Sequence, residues 1–183
     1  DSSFRLDVPA LTEELSHNVD LLILCNPNNP TSSVIPRNQM RDILDYCKKK
    51  SITVLVDETY VEFAPDVQAV TAIPLTEYYN NIIILRGISK FFAAPGLRLG
   101  YAICGNKDLL KEINQKKNPW TINSLAAIAG EIMFSDEEYI RKTRQLIAGE
   151  RERVCQAIRS MDAYQVYESN CNFVLVKIKK EGL

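Results

Sequence analysis

Residues 21–57 read LLILCNPNNPTSSVIPRNQMRDILDYCKKKSITVLVD. The two ends of this stretch, 21–25 and 52–56, are near-continuous apolar runs rich in branched residues, which is the pattern of strands covered on both faces of a parallel sheet. Between them, a predicted helix carries four apolar residues on one face: Met40, Ile43, Leu44 and Cys47. Strand, helix and strand in this order form a right-handed βαβ unit, so the stretch predicts an α/β fold.

The pattern continues on the carboxyl side of this unit. A third apolar run at 82–85 and a weaker one at 101–104 predict two more strands. A helix is predicted from about 120 to 134, and a last strand at 172–178.

A second, longer helix follows the first one directly. It is predicted to begin at a capping box, with Ser135 as the N-cap and Glu138 three residues on, and to reach Met161. Such a helix would be about 39 Å long at 1.5 Å per residue, which exceeds the width of a small domain. We therefore expect residues 1–135 to form part of a large domain, and residues 136–183 to form a linking helix and the beginning of a small α+β domain.

Composition and charge exclude several classes of function. The 183 residues carry a formal net charge of -1, which is not the basic footprint of a protein that binds nucleic acid or an anionic membrane. No apolar run has the length of a membrane span. The five cysteines form no Cys-x-x-Cys pair and His17 is the single histidine, so neither a common zinc site nor a disulfide framework is indicated. We expect a cytoplasmic protein whose partners include no nucleic acid and no membrane.

Polar residues follow three of the predicted strands directly. These segments are 25–31 after the first strand, 56–60 after the second and 86–90 after the third. Each has an ordinary structural interpretation as a turn, a helix cap or a solvated lysine. Because ligands of open α/β sheets bind beyond the carboxyl ends of the strands, we expect the three segments to converge on one cleft.

Taken together, the three segments resemble the class I and II aminotransferases. Asn-Pro-x-Asn-Pro-Thr at 26–31 is followed by Asp-x-x-Tyr at 57–60, and the run SKFFAAPGLRLGY at 89–101 is similar to that family's lysine segment almost without a break. The likeness spans essentially the whole chain. It implies a three-layer large domain with a mainly parallel sheet, pyridoxal 5′-phosphate (PLP) as the cofactor, a small-molecule amino-acid substrate and a homodimer.

The resemblance also implies a role for individual residues. Asp57 would keep the pyridine nitrogen of PLP protonated, while Asn29 and Tyr60 would donate hydrogen bonds to its phenolic oxygen. Lys90 would form the Schiff base and then act as a base, and its apolar neighbours would desolvate the amine, which favours its uncharged form. The catalytic set is therefore Lys90, Asp57 and Tyr60.

The cofactor phosphate would be bound by the arginine and serine of the lysine segment. Arg98 would pair with it as a fork, supported by the Ser89 hydroxyl. Two residues depart from the family: Gly87 replaces a hydroxyl residue three before the lysine, and Ser32 replaces the glycine that follows Asn-Pro-Thr. The resemblance further implies a cis peptide bond between Asn29 and Pro30.

Several alternatives stay open at this point. The implied reaction is transamination of an amino acid or a phosphorylated amino acid or amino alcohol. However, two groups of enzymes share these motifs: histidinol-phosphate aminotransferases and the threonine-phosphate decarboxylases of corrinoid synthesis. The decarboxylases also resemble this chain at residues 118–127. Trp120 in that segment is either a core anchor at a helix start or a functional residue. A different class, the PLP-sensing module of a transcription regulator, would be revealed by a winged helix in the full-length gene.

The resemblance places other parts of the site outside this chain. The family's glycine-rich phosphate loop would precede Asp1, and the arginine that binds the substrate carboxylate would follow Leu183. We therefore expect the chain by itself to bind PLP weakly and to turn over no amino acid.

Overall fold

The predicted α/β class is confirmed by the computed structural model, which describes residues 3–15 and 18–179. His17 lies outside the described residues. The helices and strands are α1 Val8–Glu14, β1 Leu21–Cys25, α2 Arg37–Lys49, β2 Thr53–Asp57, α3 Val67–Val70, β3 Ile82–Gly87, β4 Gly100–Cys104, α4 Lys107–Lys116, α5 Ser124–Ser135, α6 Glu137–Arg159, β5 Tyr164–Val166 and β6 Val176–Ile178, with short 3₁₀ helices at Val61–Phe63, Ile73–Glu77 and Pro95–Leu97.

The main sheet has the strand order β1-β2-β3-β4, and its first three strands are parallel. Strand β4 runs antiparallel to β3, with Gly87 opposite Gly100. The carboxyl ends of β1, β2 and β3 therefore share one edge of the sheet with the amino end of β4. All three polar segments that the sequence analysis singled out begin at this edge.

The core lies between α2 and one face of this sheet. The four apolar residues predicted on one face of α2 are all buried, as are Val54, Val56, Ile82 and Ile84 on the strands facing them. The opposite face is only partly covered by the described residues, since Leu21 is 47% and Ile23 is 61% exposed. Apolar runs thus identified the strands correctly, although burial on both faces is not seen within the described part of the chain.

Helix α5 begins later than predicted, at Ser124. Its N-cap is Asn123, whose side-chain oxygen accepts a hydrogen bond from the Ala126 backbone N–H at 2.8 Å. Trp120 precedes the helix and is 89% exposed. The interpretation of Trp120 as a core anchor at a helix start is therefore wrong.

The predicted capping box at the start of α6 is also wrong by one residue. Ser135 ends α5, and its hydroxyl donates to the Glu131 carbonyl at 2.8 Å. Asp136 is the N-cap of α6 and accepts from the Tyr139 backbone N–H at 2.9 Å. Serine and aspartate are both good N-caps, so a local rule cannot choose between neighbours when the preceding helix extends through one of them.

The carboxyl-terminal part contains a two-stranded sheet rather than the single predicted strand. Strand β6 covers only the last part of the predicted range, and it pairs antiparallel with β5, which the sequence analysis missed. Helix α6 contacts β5 and the 3₁₀ helix Val61–Phe63. Within residues 3–15 and 18–179, no helix combines the length and apolar character needed to cross a bilayer.

Candidate functional site

Asp57 is the last residue of β2 and faces a cleft at the sheet edge. Its carboxylate accepts hydrogen bonds from both the backbone N–H and the hydroxyl of Thr59, the former at 2.9 Å, so a local turn orients it. The cleft has a volume of about 740 Å³, and Ser89 and Arg98 line it together with Asp57. Three of the six predicted site residues therefore share one cavity.

The other three predicted residues are linked by direct contacts next to this cleft. The Asn29 side-chain amide donates to the Tyr60 hydroxyl at 3.2 Å. The Lys90 amine lies 5.8 Å from the centre of the Tyr60 ring. Tyr60 follows Thr59, which lines the cleft, so it joins the two groups of predicted residues.

The loop after β1 carries Asn29 and is fixed in place by hydrogen bonds of the Asn26 side chain. Both X-Pro bonds in it, Asn26-Pro27 and Asn29-Pro30, are cis, so the prediction for the second is confirmed and the first was not predicted. Asn26 is fully buried. Its side-chain amide donates to the carbonyls of Ile35 and Val70, and its side-chain oxygen accepts from the Ile35 backbone N–H. Sequence analysis read this asparagine only as a turn former, but its buried amide ties the loop to two other segments.

Lys90 is exposed, which differs from the desolvated environment expected for it. The two phenylalanines that follow it in the sequence pack against other aromatic rings. The Phe91 ring is buried against Phe63 with ring centres 5.3 Å apart, and Phe92 packs edge-on against Phe134 at 5.5 Å. Sequence adjacency to apolar residues therefore does not bury the amine within the described residues.

Arg98 adopts a left-handed backbone conformation with φ of 56°. One of its guanidinium nitrogens donates to the Pro95 carbonyl at 2.8 Å, while the side chain remains exposed and borders the cleft beside Ser89. Gly87 pairs with Gly100 at this point, and a Cβ on Gly87 would lie 3.1 Å from the Leu99 carbonyl oxygen. A side chain at this position would therefore be tightly packed against β4.

A buried ion pair behind the cleft was missed by the sequence analysis. Glu58 follows Asp57 and is buried, and its carboxylate accepts from two Arg86 nitrogens at 3.0 and 2.8 Å. The same carboxylate accepts from the Thr71 hydroxyl at 2.8 Å and the Ala72 backbone N–H at 2.6 Å. Burial alone lowers the pKa of Arg86, but the charge and hydrogen bonds of Glu58 and the charge of Glu62 raise it above its usual value.

This ion pair extends to the long helix. Arg86 also binds the Glu62 carboxylate at 2.9 Å, and the other oxygen of that carboxylate accepts from Arg144 on α6. Glu58 and Glu62 flank Tyr60 in the sequence, so the network links the Tyr60 segment to β3 and α6. The Asp-Glu-Thr-Tyr sequence marks Glu58 as a charged residue directly after a buried strand, but it does not identify the buried partner of Glu58.

Cys25 lies opposite Asp57 in the sheet, at the end of β1. Partial burial raises the pKa of the Cys25 thiol, and the negative charge of Asp57 adds to this effect.

Comparison with known proteins identifies the family of the chain. The family described as Aminotransferase class I and II matches residues 1–181. The chain belongs to this family. It is 36% identical over 177 residues to a histidinol-phosphate aminotransferase from Ruminiclostridium cellulolyticum, covering 97% of this chain and 47% of that protein. It is 33% identical over 174 residues to a threonine-phosphate decarboxylase from Salmonella typhimurium, covering 95% and 47%.

Solved structures show the same fold. The histidinol-phosphate aminotransferase from Clostridium acetobutylicum has a TM-score of 0.91 and 31% identity, covering 97% of this chain and 53% of that one. The enzyme from Sinorhizobium meliloti, solved in complex with pyridoxal-5′-phosphate, has a TM-score of 0.81 and 24% identity over 96% and 47%. The chain thus spans about half the length of the relatives it matches.

Proposed function

We propose that this chain carries the cofactor-binding floor of a PLP-dependent aminotransferase-type enzyme that acts on an amino acid or a phosphorylated amino acid or amino alcohol. The observation that carries the proposal is the placement of Tyr60, which contacts Asn29 and Lys90 and directly follows Thr59, a residue that lines the cleft together with Asp57. A cleft of about 740 Å³ is within the usual size of cofactor pockets.

The residues around the cleft match the groups that PLP needs. Asp57 supplies a carboxylate for the pyridine nitrogen, and the Thr59 hydrogen bonds hold that carboxylate in place. Asn29 and Tyr60 supply donors for the phenolic oxygen. Lys90 supplies the amine that bonds to the cofactor and later moves the substrate α-proton. When bound, PLP supplies an electron sink that none of the twenty side chains can provide.

Arg98 and Ser89 are proposed to bind the cofactor phosphate. The exposed guanidinium of Arg98 can present two parallel N–H groups to phosphate oxygens. The hydroxyl of Ser89 borders the same cleft and can donate a third hydrogen bond.

Both transamination and decarboxylation occur among the relatives, which match this chain at similar identity. We propose transamination as the reaction of the complete protein, with threonine-phosphate decarboxylation as the alternative. The reactions differ in which bond of the substrate Cα is aligned for cleavage. Adding the purified complete protein to threonine phosphate and a 2-oxo acid as amino acceptor, and measuring carbon dioxide release against formation of the keto acid of threonine phosphate, distinguishes them.

The assembly and organisation are part of the same proposal. We propose a cytoplasmic homodimer, on the strength of the family resemblance and of cysteines that are all free. We also propose the division at residues 135 and 136, where α5 ends and the continuous helix α6 begins.

The test of the cofactor assignment is a PLP titration with and without Lys90. The wild-type chain is expected to develop the visible absorbance of a lysine-bound cofactor, and reduction with borohydride should attach the label to the peptide containing Lys90. Lys90→Ala should abolish both signals, whereas Lys111→Ala, an exposed lysine on α4, should retain them. A label on another lysine contradicts the assignment, and the same titration measures whether binding is weak.

A further inference from the structure

Ser32 is an unusual residue for its position in the loop after β1. It is fully buried and has a φ of 58°, in the left-handed region that glycine adopts most readily. It also occupies the position where a glycine is expected after Asn-Pro-Thr. A serine here must be compensated by contacts that glycine could not make.

Those contacts join the loop to a distant segment of the chain. The Ser32 hydroxyl accepts a hydrogen bond from the Asn170 backbone N–H at 2.7 Å and lies 3.2 Å from the Ser169 hydroxyl. The Ser32 carbonyl accepts from the Asn170 side-chain amide at 3.0 Å. Both the side chain and the backbone of Ser32 are therefore bound to residues 169–170.

The same distant segment makes a second, independent contact at the proposed site. The Phe173 ring packs edge-on against Tyr60, with ring centres 5.2 Å apart. Tyr60 in turn accepts the hydrogen bond of Asn29. Residues 169–173 thus contact both segments that carry the donor pair for the phenolic oxygen of PLP.

We propose that Ser32 is a positioning residue. By binding residues 169–170, it holds the loop 26–33 so that Asn29 and Tyr60 keep their relative orientation. This orientation controls protonation of the nitrogen that would join Lys90 to the cofactor. The inference rests on the proposed function. Donors to the phenolic oxygen stabilise its negative charge, which is greatest once that nitrogen has lost its proton. Loosening the donors therefore raises the pKa of the nitrogen.

The first test needs no cofactor. Ser32→Gly removes the hydroxyl and accepts the left-handed conformation, whereas Ser32→Ala removes the hydroxyl and keeps the Cβ. Hydrogen exchange of residues 26–33, which are closed by the Ser32-to-Asn28 and Asn28-to-Ser33 backbone hydrogen bonds, should be roughly tenfold faster in both variants. Ser160→Ala is the matched control, because its exposed hydroxyl donates to the nearby Ala157 carbonyl and makes no long-range hydrogen bond to any other described residue.

Unchanged loop exchange in Ser32→Gly would overturn the inference, because the hydroxyl contact would then hold nothing. Unchanged exchange in Ser32→Ala would also overturn it, since serine and alanine share the Cβ in its left-handed conformation and differ only in the hydroxyl contact.

The second test follows the pH titration of the visible absorbance after PLP is bound. Both Ser32 variants are expected to raise the pKa by about half a unit or more, and Ser160→Ala should not. A merely structural role of Ser32 predicts lower stability without this change in pKa. An unchanged pKa therefore contradicts the inference about Ser32 but leaves the proposed function standing. Absence of absorbance in the wild-type chain contradicts the proposed function instead, and the exchange result remains to report on the loop contact.

Discussion

Arg86→Met is expected to destabilise the chain strongly, because it leaves the Glu58 carboxylate buried without its cation. The Glu58 side chain is fully buried and that of Arg86 is 11% exposed. Methionine preserves the length of the arginine stem but donates no hydrogen bond. Only the Thr71 hydroxyl and the Ala72 backbone N–H would then remain bound to the carboxylate.

The magnitude follows from the burial of the pair. Removing one partner of a buried ion pair costs about 3–5 kcal/mol. In a chain of this length, each kcal/mol lowers the melting temperature by about 2–4 °C, so a decrease of about 6–20 °C is expected. Urea unfolding followed by circular dichroism measures the free-energy change directly.

A double variant makes this prediction sharper. In Glu58→Gln with Arg86→Met, the glutamine oxygen can still accept from Ala72 and its amide can donate to Thr71, while no charge is buried. Replacing both partners is often neutral, so the double variant should be more stable than Arg86→Met alone by about 1–4 kcal/mol. A double variant less stable than the single one would refute the reasoning. Arg153→Met, which removes an exposed partner of Glu150, is the control and should change little.

Three further predictions concern other parts of the chain. Burial raises the pKa of the Cys47 and Cys171 thiols to about 11, so roughly one thiol in a thousand is ionised at pH 8. A thiol reagent should therefore label these cysteines only after urea is added, and rapid labelling of the folded chain would contradict this. Asn123→Ala removes the N-cap of α5 and should cost about 1 kcal/mol in urea unfolding, whereas Asn123→Asp keeps the cap, loses the hydrogen bond that the amide donates to the Leu97 carbonyl, and should cost less. Gly87→Ala and Gly87→Ser should lower the melting temperature equally, because the added Cβ crowds the Leu99 carbonyl oxygen; a more stable serine variant would show that the hydroxyl finds a partner there.

The strands and the main site residues could be predicted from local patterns. Each apolar run marks a strand in the main sheet, and a polar residue directly after a buried strand is carried to the ligand-binding edge by the parallel topology. The segment that contains Asp57 and Tyr60 was located in this way, whereas the roles proposed for the two residues came from the family resemblance. Where two good caps were adjacent, as at Ser135 and Asp136, the local rule failed because both satisfy it equally.

The sequence by itself determined the α/β class, the family and the order of the residues proposed to bind PLP, because these depend on periodicity and on motifs a few residues long. The tertiary structure decided which polar residues beside each motif form buried structural contacts. Glu58 directly follows Asp57 in the sequence, yet it is fully buried, and its partner Arg86 lies 28 residues away. Ser32 is held by Asn170 across 138 residues. Such contacts arise only when packing brings distant segments together, since buried polar groups must find hydrogen-bond partners wherever the fold places them.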